Sequence, residues 1–259
     1  MRLTFVTFTD LKAGRGTETV LFNLLKYKPE DIEATVLYTD DHGNNPLILS
    51  DDAVKDLIKD SKQIKIQCDI ILYYPDYAVK NTKLKFLFVA SLSSGKGLDI
   101  LLPLIEKMNN SEVEFHIAGG GELADKIKTN KRIIYHGILN DTDLARLYRE
   151  CDVFIYPSHA DTFSIVTLQA LSSGLYVMCS DYLKGNFDDF ENKYLEYLPL
   201  DIEQWYSRVN EIINNNSIIK HDKSEEYSYV KDNYDWSVIS TKFYGYMAEY
   251  YNESKGINR

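Results

Sequence analysis

Leu3, Phe5 and Phe8 mark a first strand over residues 2–8. A loop over 9–16 follows, and Thr17 and Glu18 then open a helix that sets Val20, Leu21, Leu24 and Leu25 on one face. A strand over 34–38, a weak helix over 52–59 and a strand over 69–73 complete a short first half. From Lys83 the alternation restarts and is more regular. Apolar runs over 84–90, 113–118, 133–136, 153–156 and 175–179 each end in a polar or Gly-rich turn. Helical spacing follows the first four: Leu98, Leu101, Leu102, Ile105 and Met108; a helix from Glu122; Leu144, Leu147 and Tyr148; and Ile165, Val166, Leu168 and Leu171, closed by Gly174. A short strand over 194–198 and a helix capped by Asp201, with Trp205, Val209, Ile212 and Ile213 inward, come next. Residues 214–228, rich in Asn, Ser and charge, read as a surface connection. Trp236, Ile239, Phe243, Met247 and Tyr250 then give a long final amphipathic helix. Strands that alternate with helices imply a parallel sheet, and the two halves share only that alternation, without a short repeat.

Residues 152–177 organise the rest. Pro157 stops the strand over 153–156 because it has no N–H for a ladder. The polar turn that follows runs into the helix at Ile165. Ligands of open α/β sheets sit at the carboxyl ends of such strands, and a helix that starts there favours anions.

Three other turns carry candidate chemistry. Lys96 lies between Gly95 and Gly97, where small neighbours admit a phosphate and the ammonium can neutralise it; taken alone, an ordinary turn lysine is the stronger reading. Gly119, Gly120 and Gly121, followed by Ala124 with Asp141 further on, satisfy a loose dinucleotide fingerprint, the source of an alternative oxidoreductase reading. Asp141-Thr142-Asp143 is an Asp-x-Asp triplet, but it stands at a helix start, where a cap and first-turn acids explain it. His116 falls mid-strand as a core or interface residue; His136 and His159, at turns, stay open between contact and scaffold.

The run from Pro157-Ser158 to Gly174 resembles the donor signature of the retaining GT-B glycosyltransferases of the large family 4 group. That signature has Pro-Ser, a gap, Glu-x-Phe-Gly, a second Glu, then Ala and a later Gly. Asp161 and Gln169 stand at the two Glu places, and Ser164 replaces the Gly after Phe163. The resemblance implies that Asp161 holds the transferred sugar and Gln169 the nucleotide ribose, with backbone N–H groups of Phe163, Ser164 and Ile165 on the diphosphate or sugar. It implies that Lys96 binds the donor diphosphate and stabilises its departure; Ser91 stands where the family has a second cation, an arginine. Gly119 and Gly121 would line the donor cleft, and the turn with Ile138 and Leu139 would lodge the base. Gly14, Arg15 and Gly16, ahead of Thr17 and Glu18, resemble the family's Gly-rich loop after the first strand, with Arg15 able to supply the charge absent at Ser91. No metal is required in this family, so the implied co-substrate is a UDP- or GDP-linked sugar with no cofactor.

Composition narrows the rest. A net charge of −10 over 259 residues argues against nucleic-acid binding, which needs clustered Lys and Arg. Cys68, Cys151 and Cys179 lack metal spacing and sit in or beside apolar runs, as buried thiols of a reducing compartment do. No apolar run reaches the length of a membrane span, and no signal region precedes the first strand. The expectation is a cytoplasmic protein without stable membrane insertion.

The sequence therefore predicts an α/β protein of GT-B type: two Rossmann-like parallel-sheet domains facing a cleft, the first reduced. Residues 1–80 would form the acceptor side, 81–234 the donor domain, and 235–259 a helix returning to the first domain. The expected activity is transfer of a sugar from a nucleotide sugar, with retention, to an unknown acceptor. The alternatives are a nucleotide-sugar-binding protein with weak or no transfer and a dinucleotide-dependent oxidoreductase.

Overall fold

The computed structural model describes residues 1–6, 16–39, 46–59, 72–79, 81–108, 113–161, 163–187, 194–220 and 222–257. The chain divides into two compact units, residues 1–69 with 232–259, and residues 70–231.

In the first unit, β1 (Arg2–Val6) pairs in parallel with β2 (Glu33–Thr39), and β3 (Pro46–Leu49) adds antiparallel to β2. β3 is absent from the sequence prediction; it opens on Pro46, which demotes a strand reading, and its three apolar residues do not alternate. Helices α1 (Gly16–Lys26) and α2 (Asp51–Lys59) cover the sheet, and Leu21, Leu25, Ala34, Val36 and Val54 form the core with Phe5 and Leu49 against it. The inward face of α1 includes Phe22 rather than Val20, which is 39% exposed. The final helix α9 (Trp236–Ile257) belongs to this unit: the Tyr244 hydroxyl donates to the Leu24 carbonyl at 2.8 Å, and the Phe5 and Phe243 rings lie 6.2 Å apart.

The second unit is a six-stranded parallel sheet in the order β6-β5-β4-β7-β8-β9. Its strands are β4 (Leu84–Val89), β5 (Val113–Ala118), β6 (Ile133–Gly137), β7 (Val153–Tyr156), β8 (Tyr176–Ser180) and β9 (Leu195–Leu198). The connecting helices are α3 (Leu98–Lys107), α4 (Ala124–Thr129), α5 (Asp141–Glu150), α6 (Ile165–Ser172) and α7 (Ile202–Asn214). Because β7 and β8 are buried at every position, they read as unbroken apolar runs, as strands covered on both faces do. The in-register pair Phe86 and Phe115 stacks with centroids 5.2 Å apart on one face, while Tyr148 of α5 reaches Phe154 on the other. The chain builds outward from β4 to β6, then returns to place β7 beside β4. Strand order reverses there, and the carboxyl ends of β4 and β7 flank the crevice.

Two expectations fail. The described part of the predicted strand 69–73 is not strand: Tyr73 is buried with its carbonyl taken by the Ser172 hydroxyl, and the Leu72 carbonyl takes Arg149 Nη1 at 2.8 Å. Side chains of the second unit satisfy this backbone where a neighbouring strand would otherwise do so. The connection over 214–228 is largely helical. A 3-10 turn (Asn216–Ile219) precedes α8 (Lys223–Tyr234), whose Glu226 and Val230, four apart, are both buried, and Asp222 caps it through the Ser224 N–H at 2.9 Å. Its polar composition hid a one-sided helix.

Candidate functional site

Four turns at the carboxyl edge of the second sheet are knit into one rim. The turn after β4 meets that after β5 through Leu92 N–H to the Gly120 carbonyl at 2.9 Å and Leu123 N–H to the Leu92 carbonyl at 3.0 Å. Gly119 holds φ +137, and a Cβ there would lie 1.9 Å from the Ala90 carbonyl oxygen, so only glycine fits. The turn after β6 joins through Gly119 N–H to the Gly137 carbonyl at 2.7 Å, and the Ile138 side chain lies over Gly120, its Cδ1 2.7 Å from where a Cβ would stand. The loop after β7 meets the β4 turn at Gly97, where a Cβ would lie 2.0 Å from the Pro157 carbonyl oxygen, and through His159 N–H to the Gly95 carbonyl at 3.1 Å.

Lys96 and Asp161 meet at the point where strand order reverses. Lys96 Nζ lies 3.1 Å from Asp161 Oδ2 and donates to the Ala160 carbonyl at 3.3 Å, with the two side chains 28% and 19% exposed. Tyr156, the last residue of β7, donates its hydroxyl to the same Asp161 oxygen at 2.8 Å. Burial, reinforced by the Asp161 charge, pushes the Tyr156 phenol far above its ordinary range, so it remains a donor at neutral pH. The carboxylate is thus aimed from two sides and still reaches solvent. Sequence reasoning missed Tyr156 because it reads as an ordinary strand aromatic; its position directly before Pro157 was the available signal. His159 is fixed similarly, with Nε2 at 2.9 Å from both oxygens of Asp99 on α3, which ties the signature loop to the β4 turn.

Phe163, Ser164, Ile165 and Gln169 follow Asp161 into and along α6. Ser164 is the N-cap residue of α6 at φ −83, a conformation that needs no glycine, and its hydroxyl pairs with that of Thr167 at 2.7 Å. Ile165 N–H is engaged by the Phe163 carbonyl at 3.1 Å. The Phe163 ring is 39% exposed and sits 5.6 Å from Phe187. Gln169, one turn along α6 from Ile165, is buried at 5% exposure. Ile138 is 83% exposed at the rim and Leu139 is half-buried beside it. Gly14 and Arg15 lie outside the described residues, and Gly16 is the first residue of α1 in the other unit. Ser91 is exposed on the β4 turn.

The Asp-x-Asp triplet is a helix start: Asn140 caps α5 by accepting from Asp143 N–H at 3.0 Å, and Asp143 also pairs with Arg146 at 2.6 Å. Among the described residues no three His, Cys, Asp or Glu side chains are placed to hold a metal ion. Cys151 and Cys179 are buried, and burial raises both thiols well above their ordinary range; Cys68 lies outside the described residues. His116 and His136 form a pair across β5 and β6, Nδ1 to Nε2 at 3.0 Å, and Glu114 lies 3.4 Å from His116 Nε2. The imidazole planes are 16° apart with centroids at 5.2 Å, the separation of rings joined edge to edge. A carboxylate on Nε2 makes that nitrogen the protonated one, so Nδ1 accepts from His136.

Glycine turns joined at the switch point of a parallel sheet, with a cation and a carboxylate between them, define a Rossmann-like domain. Residues 73–231, more than half of the chain, match the glycosyl transferases group 1, and the chain belongs to that family. A sulfoquinovosyl transferase of Arabidopsis thaliana is 26% identical over 168 residues, 60% of this chain and 31% of that protein. An O-antigen chain mannosyltransferase of Escherichia coli is 33% identical over 92 residues, 32% of this chain and 24% of its own length. The matched region therefore spans about a third or less of these relatives. Among solved structures, a sucrose-phosphate synthase from Thermosynechococcus elongatus superposes with a TM-score of 0.61 at 16% identity over 72% of this chain and 51% of that one. The Anabaena protein HepE, solved with UDP-glucose, gives 0.57 at 17% identity over 76% and 62%. The fold is that of the GT-B glycosyltransferases, and membership of the family weighs against the oxidoreductase reading of the Gly119 turn. No helix among the described residues is long and apolar enough to cross a membrane.

Proposed function

We propose that the chain transfers a sugar from a UDP- or GDP-linked donor, with retention of configuration and without a metal, to an acceptor. The observation that carries this reading is the Lys96–Asp161 pair at the switch point. An ammonium and a carboxylate 3.1 Å apart offer adjacent sites for the two ends of a sugar diphosphate. Lys96 takes the phosphate oxygens as negative charge develops on the leaving group, and Asp161, held by Tyr156, accepts from sugar hydroxyls. Gln169 serves the ribose hydroxyls through its amide, and Phe163, Ser164 and Ile165 line the entry to α6. Gly119 and Gly121 let the diphosphate approach backbone, and the turn at Ile138 and Leu139 takes the base.

Retention needs only front-face attack on a sugar whose diphosphate leaves with stabilisation, so loss of the family's acid at Gln169 is compatible with turnover. The test is incubation with UDP- and GDP-sugars under chelator, with the anomeric configuration of the released sugar or glycoside read by NMR. Release of nucleoside diphosphate with an unchanged anomeric configuration, lost in Lys96→Ala, is expected; inversion, or turnover that requires a divalent metal, would refute the proposal. A second reading, donor binding without transfer, is favoured by Ser91 at the arginine place. It predicts saturable binding of a sugar nucleotide with no release of diphosphate.

A further inference from the structure

The amino ends of the second unit's strands carry a separate concavity. A cleft of about 400 Å³ opens between the segment leading into β4 and the connection from α7 to α8. That is the size of a small-ligand site. Three lysines border it, Lys83, Lys220 and Lys223, in a chain whose net charge is −10. Lys83 is tied to Glu114 at 3.3 Å, whereas Lys220 and Lys223 make no ion pair among the described residues. The acid in the wall is already engaged: Asp152 Oδ2 accepts from Asn81 Nδ2 at 3.0 Å and from the Lys85 N–H at 2.9 Å. Thr82 and Asn216 add neutral polar groups.

The cleft is shaped by the fold. Gly174 follows α6 at φ +73, and a Cβ there would lie 2.6 Å from Lys223 Cβ and 2.8 Å from its Cγ and Cδ. The glycine thus vacates the space in which the Lys223 stem lies. A stem packed in this way has less rotamer freedom left to lose when its ammonium meets a ligand. Lysines that merely complemented helix dipoles would sit in the last turns of the helices that end at this edge. Lys83 and Lys223 come instead from the lead into β4 and the first residue of α8, while Lys220 directly follows the 3-10 turn over 216–219.

We propose that this cleft binds a small phosphate-bearing anion, at a site distinct from the donor site. The six residues of β4 separate the two by about 20 Å. The proposal does not depend on transferase activity. It is tested by titrating the full chain with inorganic pyrophosphate at constant ionic strength and following backbone amides by NMR. Saturable shifts at Thr82, Gly174 and Lys223 are expected in wild type and also in Lys96→Ala, where the donor site is impaired. Affinity at these amides should fall by about tenfold or more in K220E/K223E and by a smaller factor in K220Q/K223Q, which guards against misfolding from charge reversal. Amides that do not move, shifts that stay linear, or an affinity unchanged in both double variants would overturn it.

Discussion

Gly97→Ala probes the joint on which the site depends. Gly97 closes the β4 turn at φ +93, and an added Cβ would lie 2.0 Å from the Pro157 carbonyl oxygen and 2.4 Å from its carbon. Both are backbone atoms, so relief requires the β4 turn and the β7 loop to part by more than an ångström. Alanine at positive φ costs about 1–2 kcal/mol, and overpacking against backbone adds about 1–3 kcal/mol. Together they give about 2–5 kcal/mol. Gly95, two residues earlier, supplies the control: its added Cβ would meet only Ser93 Oγ, at 4.0 Å. Urea unfolding followed by Trp205 fluorescence in a Trp236→Phe background reads the second unit, because Trp205 is fully buried there. Gly97→Ala should lower the unfolding free energy by the stated amount, and Gly95→Ala should change it by less than about 0.5 kcal/mol. Equal small effects from both would refute the close approach of the two turns.

Other consequences are as direct. His116 and His136 are held below the usual histidine range by burial, His136 also by the charge of His116, with Glu114, Lys85 and Glu150 as their charged neighbours. Their folded pKa values lie below the unfolded value of 6.5. Stability is therefore full above about pH 6.5 and falls as pH drops below it, a slope that His136→Gln should flatten in unfolding measured from pH 8 to 5. Arg132 Nη1 donates to the carbonyls of Ile105, Glu106 and Met108 at 3.2, 2.6 and 2.7 Å, closing the end of α3. Arg132→Ala should cost about 1–3 kcal/mol by urea unfolding. Ser91→Arg, which adds a guanidinium at an exposed position on the β4 turn, should tighten nucleoside diphosphate binding by about tenfold in calorimetry.

The second unit was legible because β7 and β8 are buried on both faces and helices such as α5 and α7 on one. Continuous apolar runs such as 153–156 and the four-residue steps of α3 and α7 survive in the sequence as written. Other segments were less so. β3 opens on Pro46 and its apolar residues do not alternate, and 69–73 has strand composition while the described Leu72 and Tyr73 are held by side chains far along the chain. α8 was hidden by having only two buried positions among twelve residues. At the site, motif spacing located Lys96 and Asp161 65 residues apart, but nothing in the sequence shows that they touch. That contact follows from the return of the chain to set β7 beside β4. Tyr156 and Asp99, which hold Asp161 and His159, carry no motif and became visible only through that geometry.

The most direct test of the account is calorimetric titration of the purified chain with a panel of UDP- and GDP-sugars under chelator. Saturable binding of one donor, weakened by about tenfold or more in Lys96→Ala and in Asp161→Ala, is the predicted result. Absence of binding to every sugar nucleotide, or binding indifferent to both substitutions, would contradict it.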